Sequence, residues 1–304
     1  MLARYQKAFL ASQLLYALIC LVWLWSYSPG VALLCALVPW LLFAAVLGLE
    51  FALMQRLNRR RADAPVASPL QVLWAWCTEM RTALLIFCWR QPFRAHAEPD
   101  WLPAQPTGKR GVVLVHGFVC NRGVWLPWIP RLKAAGHACV AVSLEPVIGS
   151  IDAYAAAVEA AVQRVTAVTG MPPVLVCHSM GGLVARAWLR AYAGTGVDQR
   201  VHHVMTLGTP HAGTWLGQFS HAENGQQMRL ESPWLQRLRA DEPAERAGLF
   251  TCWYSNCDNI VFPATVAALP GARHRFLSGV PHLHMVLNEQ VVQSCLEELA
   301  ASTR

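Results

Sequence analysis

Polar residues are almost missing from the first part of the chain, where residues 8–54 contain a single formal charge, Glu50. Two apolar runs, 8–27 and 31–54, flank the turn-forming residues 28–30, and each is long enough to cross the hydrocarbon core of a bilayer. A signal peptide followed by a buried helix would also begin with an apolar run. The apolar core of a signal peptide is shorter than these runs, however, and it ends at a cleavage site formed by small residues. The pattern predicts a two-helix transmembrane anchor over residues 1–55.

Basic residues lie at the outer ends of the two apolar runs. Arg4 and Lys7 precede the first run, four arginines between residues 56 and 61 follow the second, and the connecting sequence SYSPG has neither Lys nor Arg. Lys and Arg are retained on the cytoplasmic side of a membrane. Both ends of the hairpin are therefore predicted to face the cytoplasm. The protein would be a multi-pass protein of the cytoplasmic (inner) membrane, with the rest of its chain in the cytoplasm.

Residues 56–108 are predicted to form a juxtamembrane connector. Its central part, residues 70–93, is apolar but carries Glu79 and Arg81 in the middle. A third transmembrane span would place both charges deep in the bilayer, which is costly. The pattern favours a helix that lies on the membrane surface or packs against the following domain.

From residue 109 onward the pattern of apolar and polar residues changes, and short apolar runs alternate with helical patterns. Six runs are predicted as strands: 111–116, 138–144, 173–178, 201–207, 249–255 and 274–278. Helical patterns lie between several of them. Continuous apolar strands that alternate with helices are typical of a mostly parallel sheet covered on both faces. Residues 109–304 are therefore predicted to be one α/β domain.

Composition narrows the possible partners. Charged residues make up 14% of the chain, against about 25% in a typical soluble domain. The net charge of +7 is concentrated partly next to the apolar runs, which favours anionic lipid headgroups, and no aromatic-and-basic motif indicates nucleic acid. The ten cysteines show no CxxC pair or zinc-finger spacing, so we expect buried thiols and no metal or cofactor.

The sequence CHSMGG, residues 177–182, follows the third predicted strand and opens a helix. This is the context of the nucleophile elbow G-x-S-x-G, which would make Ser179 the nucleophile and place His178 next to it. Gly181 and Gly182 provide the small neighbours that such a turn needs, whereas Cys177 stands at the first glycine position. A serine that caps a buried helix would look similar, so the turn alone does not decide between the two.

A second loop has the features of an oxyanion hole. The first predicted strand runs into His116-Gly117-Phe118. In an enzyme with a nucleophile elbow, one N–H comes from the residue after the nucleophile and one from the loop after an earlier strand. These would be the backbone N–H groups of Met180 and Phe118. His116 is interpreted as a residue that structures this loop, not as a base.

An acid and a histidine follow the serine in the chain. Asp258 comes after the fifth predicted strand and His282 after the sixth. A serine hydroxyl needs a base to become a nucleophile, and a carboxylate orients the imidazole and stabilises its charged form. His284 remains an alternative base among the other histidines. Asp241 and Glu242 remain alternative acids.

With these motifs in place, residues 111–295 resemble the bacterial lipase and esterase branch of the α/β-hydrolase superfamily. Besides VHGF and HSMGG, three segments are similar to that branch: 151–170, 207–214 and 227–238. The resemblance implies an α/β-hydrolase fold with Ser179, Asp258 and His282 as its triad. The sequence departs from the branch at Cys177. It also has no aspartate after Asp258, so the calcium site of secreted relatives is not expected.

The leading functional hypothesis is a serine hydrolase that cleaves carboxylic esters through an acyl-enzyme at Ser179. The membrane anchor and the apolar segment that includes Trp215 and Trp234 favour lipidic or medium- to long-chain acyl esters. An acyltransferase or thioesterase would use the same triad, so the residues leave this alternative open. A catalytically silent, membrane-tethered interaction module is a third reading. Two spans provide no transport pathway.

Overall fold

The computed structural model describes residues 1–301. Within these residues the strands are β1 Val112–Val115, β2 Cys139–Ala141, β3 Val174–His178, β4 His203–Leu207, β5 Phe250–Ser255 and β6 Arg273–Leu277. The helices are α1 Leu2–Leu24, α2 Pro29–Asn58, α3 Pro69–Ala83, α4 Gln91–Phe93, α5 Trp128–Ala134, α6 Ala155–Thr169, α7 Met180–Ala191, α8 Glu223–Gln227, α9 Pro233–Ala240 and α10 Glu289–Ala301. A π-helical segment, Leu84–Arg90, joins α3 to α4.

The strands form one sheet in the order β2-β1-β3-β4-β5-β6, and every neighbouring pair is parallel. All six predicted strands are present, and the predicted parallel α/β sheet is confirmed. Trp101 adds an antiparallel bridge to Cys139 at the β2 edge. Because the strands are parallel, their carboxyl ends meet at one edge of the sheet. The loops that carry the predicted site residues follow β1, β3, β5 and β6 at this edge.

Both faces of the sheet are covered by helices. Alternate strand residues such as Val113 and Leu175 pack against α6 and α7 on one face. Their neighbours, such as Val112 and Val174, pack against α5 and α10 on the other. Successive side chains of a strand point to opposite faces. This two-sided burial explains why β1 to β5 appear in the sequence as continuous apolar runs, whereas the edge strand β6 is exposed at its first four residues.

The first two helices form an antiparallel pair. By length and composition α1 and α2 could cross a membrane, and little of either apolar stretch is buried in the structure. The Ser28 side chain accepts a hydrogen bond from the N–H of Val31 at the start of α2, and Pro29 occupies the first turn. The exposed surface of the pair carries many large apolar side chains, including Leu14 and Leu41.

One end of this helix pair is attached to the α/β domain. Phe51 and Met54 of α2 are buried together with Ala75 of α3 and with Phe262 after β5. The Asn58 amide completes the junction: its oxygen accepts from the N–H of Ala264, and its Nδ2 donates to the carbonyl of Asn256. The N-terminal amino group pairs with Glu145, so both ends of the hairpin lie beside the α/β domain.

The helix α3 packs against both α2 and the α/β domain. Ser68 and Gln71 form a reciprocal capping box that fixes its start. Ala83 and Ile86, in α3 and the π-helical segment, belong to the same buried cluster as the strand residues on one face of the sheet. Leu73 and Trp74 on the outer face are exposed. The predicted helix in the connector is therefore present, with one packed and one apolar exposed face.

Candidate active site

Ser179 lies in the turn between β3 and α7. Its φ of 54° and ψ of −127° are rare for a residue other than glycine, so the backbone is strained. Two bonds to the β4 side hold the strained residue. Its N–H donates to the carbonyl of Leu207 at 2.8 Å, and its carbonyl accepts from the Thr209 hydroxyl at 2.8 Å. This conformation is the one expected of a nucleophile elbow.

The small residues that follow Ser179 allow the turn to lie close to the end of β1 and to the loop after β4. A Cβ at Gly181 would lie 2.5 Å from the carbonyl oxygen of Val115, and a Cβ at Gly182 would lie 2.3 Å from the Thr209 hydroxyl. Cys177 is different, because it is the penultimate residue of β3 and its side chain is fully buried in the core on the α6 and α7 side. Burial raises the pKa of this thiol. The side chain therefore has room beneath the turn.

Asp258 and His282 are brought together from the loops after β5 and β6. His282 Nδ1 lies 3.0 Å from each carboxylate oxygen of Asp258, and both residues are buried. Burial alone would lower the pKa of His282, but the Asp258 carboxylate raises it above the ordinary histidine value. Gly208 makes this approach possible: its φ is +57°, and a Cβ there would lie 2.8 Å from Asp258 Oδ2.

The Asp258 carboxylate is itself fixed by backbone donors. Its Oδ1 accepts hydrogen bonds from the N–H groups of Ile260 at 3.0 Å and Val261 at 2.7 Å. These donors fix the orientation of the carboxylate towards the imidazole. The pairing at Nδ1 leaves Nε2 as the imidazole nitrogen available to a reacting group.

Ser179 and His282 line one cavity of about 280 Å³, together with Gly117 and Phe118. Among residues 1–301, no hydrogen bond joins the Ser179 hydroxyl to the imidazole. Such bonds are often long without a substrate and shorten when one binds. The cavity can thus bring a substrate carbonyl next to the hydroxyl and the imidazole at the same time.

The two predicted oxyanion donors face no competing acceptor. In the part of the chain that the structure describes, neither the Phe118 nor the Met180 N–H is paired with a backbone or side-chain acceptor. His116 holds the first loop: Leu144 N–H donates to its Nε2 at 2.9 Å, so its Nδ1 carries the proton and donates to Gly117 O at 2.8 Å. Burial lowers the pKa of His116 to about 4, so this histidine stays neutral.

His178, singled out only as part of the elbow, has a second contact. Its Nε2 donates to the carbonyl of His282 at 3.2 Å, and the two ring centroids are 4.7 Å apart. Burial lowers the pKa of His178 well below its ordinary value, and the neighbouring imidazole lowers it further. A neutral His178 ring therefore supports the loop of His282.

Two carboxylates that sequence reasoning did not assign to the site also line the cavity, Glu50 from α2 and Glu79 from α3. Glu79 accepts hydrogen bonds from the N–H of Leu283 at 2.8 Å and of His284 at 3.3 Å. Glu50 accepts from the side chain of Asn259 at 2.9 Å. One feature of the sequence could have pointed to these two residues: each is an isolated acidic residue in an otherwise apolar segment.

The alternative residues lie elsewhere. His284 contacts Thr82 of α3, with its Nδ1 3.4 Å from the hydroxyl. Glu242 forms a bidentate ion pair with the buried Arg186, and Asp241 is exposed. None of the three lines the cavity of Ser179. The cysteines are all unpaired, and seven are buried as expected. Cys35 and Cys88 are only half-buried, and Cys77 is exposed because it lies on the outer face of α3.

Replacing Glu79 by glutamine is expected to move the acid limb of the kcat/KM–pH profile to lower pH. Burial raises the pKa of Glu79 to about 7, and its charge contributes to the raised pKa of His282. A histidine must be neutral to serve as a general base, so removing this charge should lower the pH at which the predicted base His282 can accept a proton. Glu289→Gln, at an exposed ion pair with Arg131, is the matched control. An unmoved limb in Glu79→Gln would contradict the electrostatic role.

Comparison with known proteins agrees with this architecture. The sequence profile described as the Alpha/beta hydrolase family matches residues 112–296. Mature lipase BlEst2 from Bacillus licheniformis has a similar structure, with a TM-score of 0.55 and 17% identity over 65% of this chain and 96% of that one. Lipase B from Aspergillus fumigatus gives a TM-score of 0.57 and 17% identity over 68% and 57%. No curated protein sequence matches.

These matches bear on the fold, because the sequence identities to the solved structures are low. The profile covers more than half of the chain, including every strand. The predicted α/β-hydrolase fold is confirmed, and the chain belongs to the α/β-hydrolase family.

Proposed function

We propose that this α/β-hydrolase is a carboxylic ester hydrolase of the lipase and esterase type that acts through an acyl-enzyme at Ser179. One observation carries the proposal. The strained serine at the β3–α7 turn shares a cavity with an imidazole whose Nδ1 lies 3.0 Å from a buried carboxylate. Serine, acid and histidine occur in the chain order of α/β-hydrolases.

The residues suggest the following steps. His282 Nε2 takes the proton of the Ser179 hydroxyl as Oγ attacks the ester carbonyl carbon. The backbone N–H groups of Phe118 and Met180 bind the resulting oxyanion, and His282 protonates the leaving alcohol. Water then attacks the acyl-enzyme, with His282 again accepting its proton. The acid is released, and the Ser179 hydroxyl is regenerated.

The cavity walls favour a substrate with an apolar acyl group. Phe43 and Leu47 of α2, together with Phe118, Ile260 and Val261, surround the polar centre. Such walls stabilise hydrocarbon and contribute little to the binding of a small polar ester. The proposed substrates are therefore lipidic or medium- to long-chain acyl esters, and no metal or cofactor is needed for the steps above.

The test uses the full chain in detergent micelles. We expect a fluorophosphonate probe to label the protein covalently, and p-nitrophenyl esters to be hydrolysed. Prior incubation with an unlabelled fluorophosphonate should abolish both signals in parallel, because both depend on one serine. A folded protein that neither reacts with the probe nor releases p-nitrophenol from any chain length would rule out the proposal.

The same proposal includes the arrangement in the membrane. Residues 1–55 form a two-helix anchor, residues 56–108 the juxtamembrane connector and residues 109–304 the catalytic domain. The exposed apolar surface of α1 and α2 supports insertion in the inner membrane. The arginines after the second run support a cytoplasmic catalytic domain.

Membrane insertion has its own expected result. The wild-type protein should stay in the membrane pellet after alkaline carbonate extraction, and protease should reach the catalytic domain only in inverted vesicles. Arginine at both Leu15 and Leu37, which are exposed positions on α1 and α2, should weaken insertion because each charge costs about 3 kcal/mol at the centre of a span. Release of the wild type by carbonate would contradict the anchor. Protection in inverted vesicles would reverse the orientation.

A further inference from the structure

A second cavity adjoins the catalytic one. It is an apolar groove of about 140 Å³ between α1, α2 and the α3–π-helical segment, and we call it the hairpin groove. Gln13 of α1 and Pro39 and Trp40 of α2 line it. Phe43, Ala83 and Phe87 line both the hairpin groove and the cavity of Ser179. The two spaces therefore abut at these three side chains.

The helix α2 provides one continuous wall from the catalytic centre to the hairpin groove. Glu50, Leu47 and Phe43 are spaced three and four residues apart, so they lie on one face of the helix. Pro39 lies one turn further along the same face. The distance along the helix axis from Glu50 to Pro39 is about 16 Å, because each residue advances a helix by about 1.5 Å.

The chemistry of the groove suits a hydrocarbon chain. Its walls are mainly aromatic and aliphatic, and burying apolar surface is the main favourable contribution that they can make to binding. The groove lies between helices whose outer surfaces are apolar and exposed, including Leu41 and Leu42 of α2. It therefore opens beside the surface that the proposed anchor presents to the interior of the bilayer.

We propose that the hairpin groove binds the acyl chain of a membrane lipid ester whose carbonyl lies at Ser179. The substrate would pass sideways from the bilayer between α2 and the α3–π-helical segment, and its chain would remain in an apolar environment throughout. This inference rests on the proposed ester hydrolysis and on the anchor. The wall shared through Phe43, Ala83 and Phe87 favours a reacting chain over a lipid that only fills the groove.

The experiment fills the groove and measures chain-length selectivity. Gln13→Trp and Cys88→Trp each place an indole in the groove, the first from α1 and the second from the π-helical segment. The full-length variants, reconstituted in phosphatidylcholine vesicles, are assayed with p-nitrophenyl acetate and p-nitrophenyl dodecanoate. We expect the dodecanoate-to-acetate ratio of kcat/KM to fall about tenfold or more, the effect of losing even a single methylene contact in an apolar pocket.

The matched control is Leu14→Trp, which adds the same side chain at the neighbouring, highly exposed position of α1. Its ratio should equal that of the wild type. Unchanged ratios in both groove variants would overturn the proposal, as would an equal loss in Leu14→Trp. The elution volume of each variant in gel filtration establishes that it is folded, and two groove variants on different helices guard against the failure of one.

Failure of the groove and failure of the proposed function give different results. A wild-type protein that hydrolyses neither ester contradicts the proposed function. The groove is then tested by photolabelling with a diazirine-bearing dodecanoic acid in the same vesicles. Labelling at Phe43 or Phe87 that is lost in Gln13→Trp and retained in Leu14→Trp supports acyl binding. Labelling that is unchanged in Gln13→Trp contradicts acyl binding in the hairpin groove.

Discussion

Replacing Ser179 by alanine is expected to lower kcat for a short p-nitrophenyl ester by about 10⁴-fold or more and to abolish fluorophosphonate labelling. The physical reason is the loss of the only hydroxyl in the strained β3–α7 turn, so no acyl-enzyme forms. Any residual rate would come from substrate binding and the oxyanion donors. The measurement is steady-state hydrolysis together with in-gel detection of the probe, using equal amounts of folded protein.

Ser143→Ala is the matched control, because Ser143 is an exposed serine after β2. This variant should retain wild-type rates and labelling. Alanine adds no bulk at position 179, and the two bonds that hold the turn there use backbone atoms. A folded Ser179→Ala protein that still reacts with the probe would place the nucleophile at a different serine.

The second large effect is expected for Asp258→Asn, with kcat reduced by about 10⁴-fold. The asparagine oxygen can keep the bonds from the N–H groups of Ile260 and Val261. Its NH₂ group then faces His282 Nδ1 and favours the imidazole tautomer that carries its proton on Nε2. That tautomer cannot accept the serine proton. The raised pKa of His282 should also fall, because the carboxylate charge that raises it is gone.

Asp241→Asn separates this explanation from a general effect of removing an acid. Asp241 is exposed, and its ion pair with Arg190 spans 3.6 Å. We expect a rate close to that of the wild type, because exposed pairs contribute little. A larger loss in Asp241→Asn than in Asp258→Asn would transfer the role of the acid to the other residue. The two rates are measured at the same pH above the acid limb.

Most of the sheet could be predicted from the sequence because β1 to β5 are buried on both faces and appear as short apolar runs. The edge strand β6 is less clear in the sequence, because its first four residues are exposed and include Arg273 and Arg275. The positions of Ser179, Asp258 and His282 at strand ends could be predicted for the same reason. The order of the strands could not, because it depends on pairings between segments far apart in the chain.

Glu50 and Glu79 show where sequence reasoning reaches its limit. Each is an isolated charge in an apolar segment, and sequence alone indicates only the cost of burying it. The structure supplies partners that are more than 200 residues away: the Asn259 side chain for Glu50 and the N–H of Leu283 for Glu79. No local pattern indicates a bond across such a separation.

The boundary between connector and catalytic domain is a similar case. The division at residue 109 follows the change in the pattern of apolar and polar residues, and it stays a prediction. Ile86 nevertheless packs in the same cluster as strand residues of β1 and β3, and Trp101 exchanges two backbone hydrogen bonds with Cys139 of β2. The connector has an amphipathic pattern but no predicted strand. Its sequence therefore does not show how extensively it packs against the core of the following domain.

The wall that α2 and α3 contribute to the cavity of Ser179 limits how this protein can be recombined. Here a foreign hairpin would bring different side chains to the places of Phe43, Leu47 and Glu50, and it would remove an acceptor from Asn259. The first two helices and the α/β domain are therefore interdependent, and a change to either constrains the other.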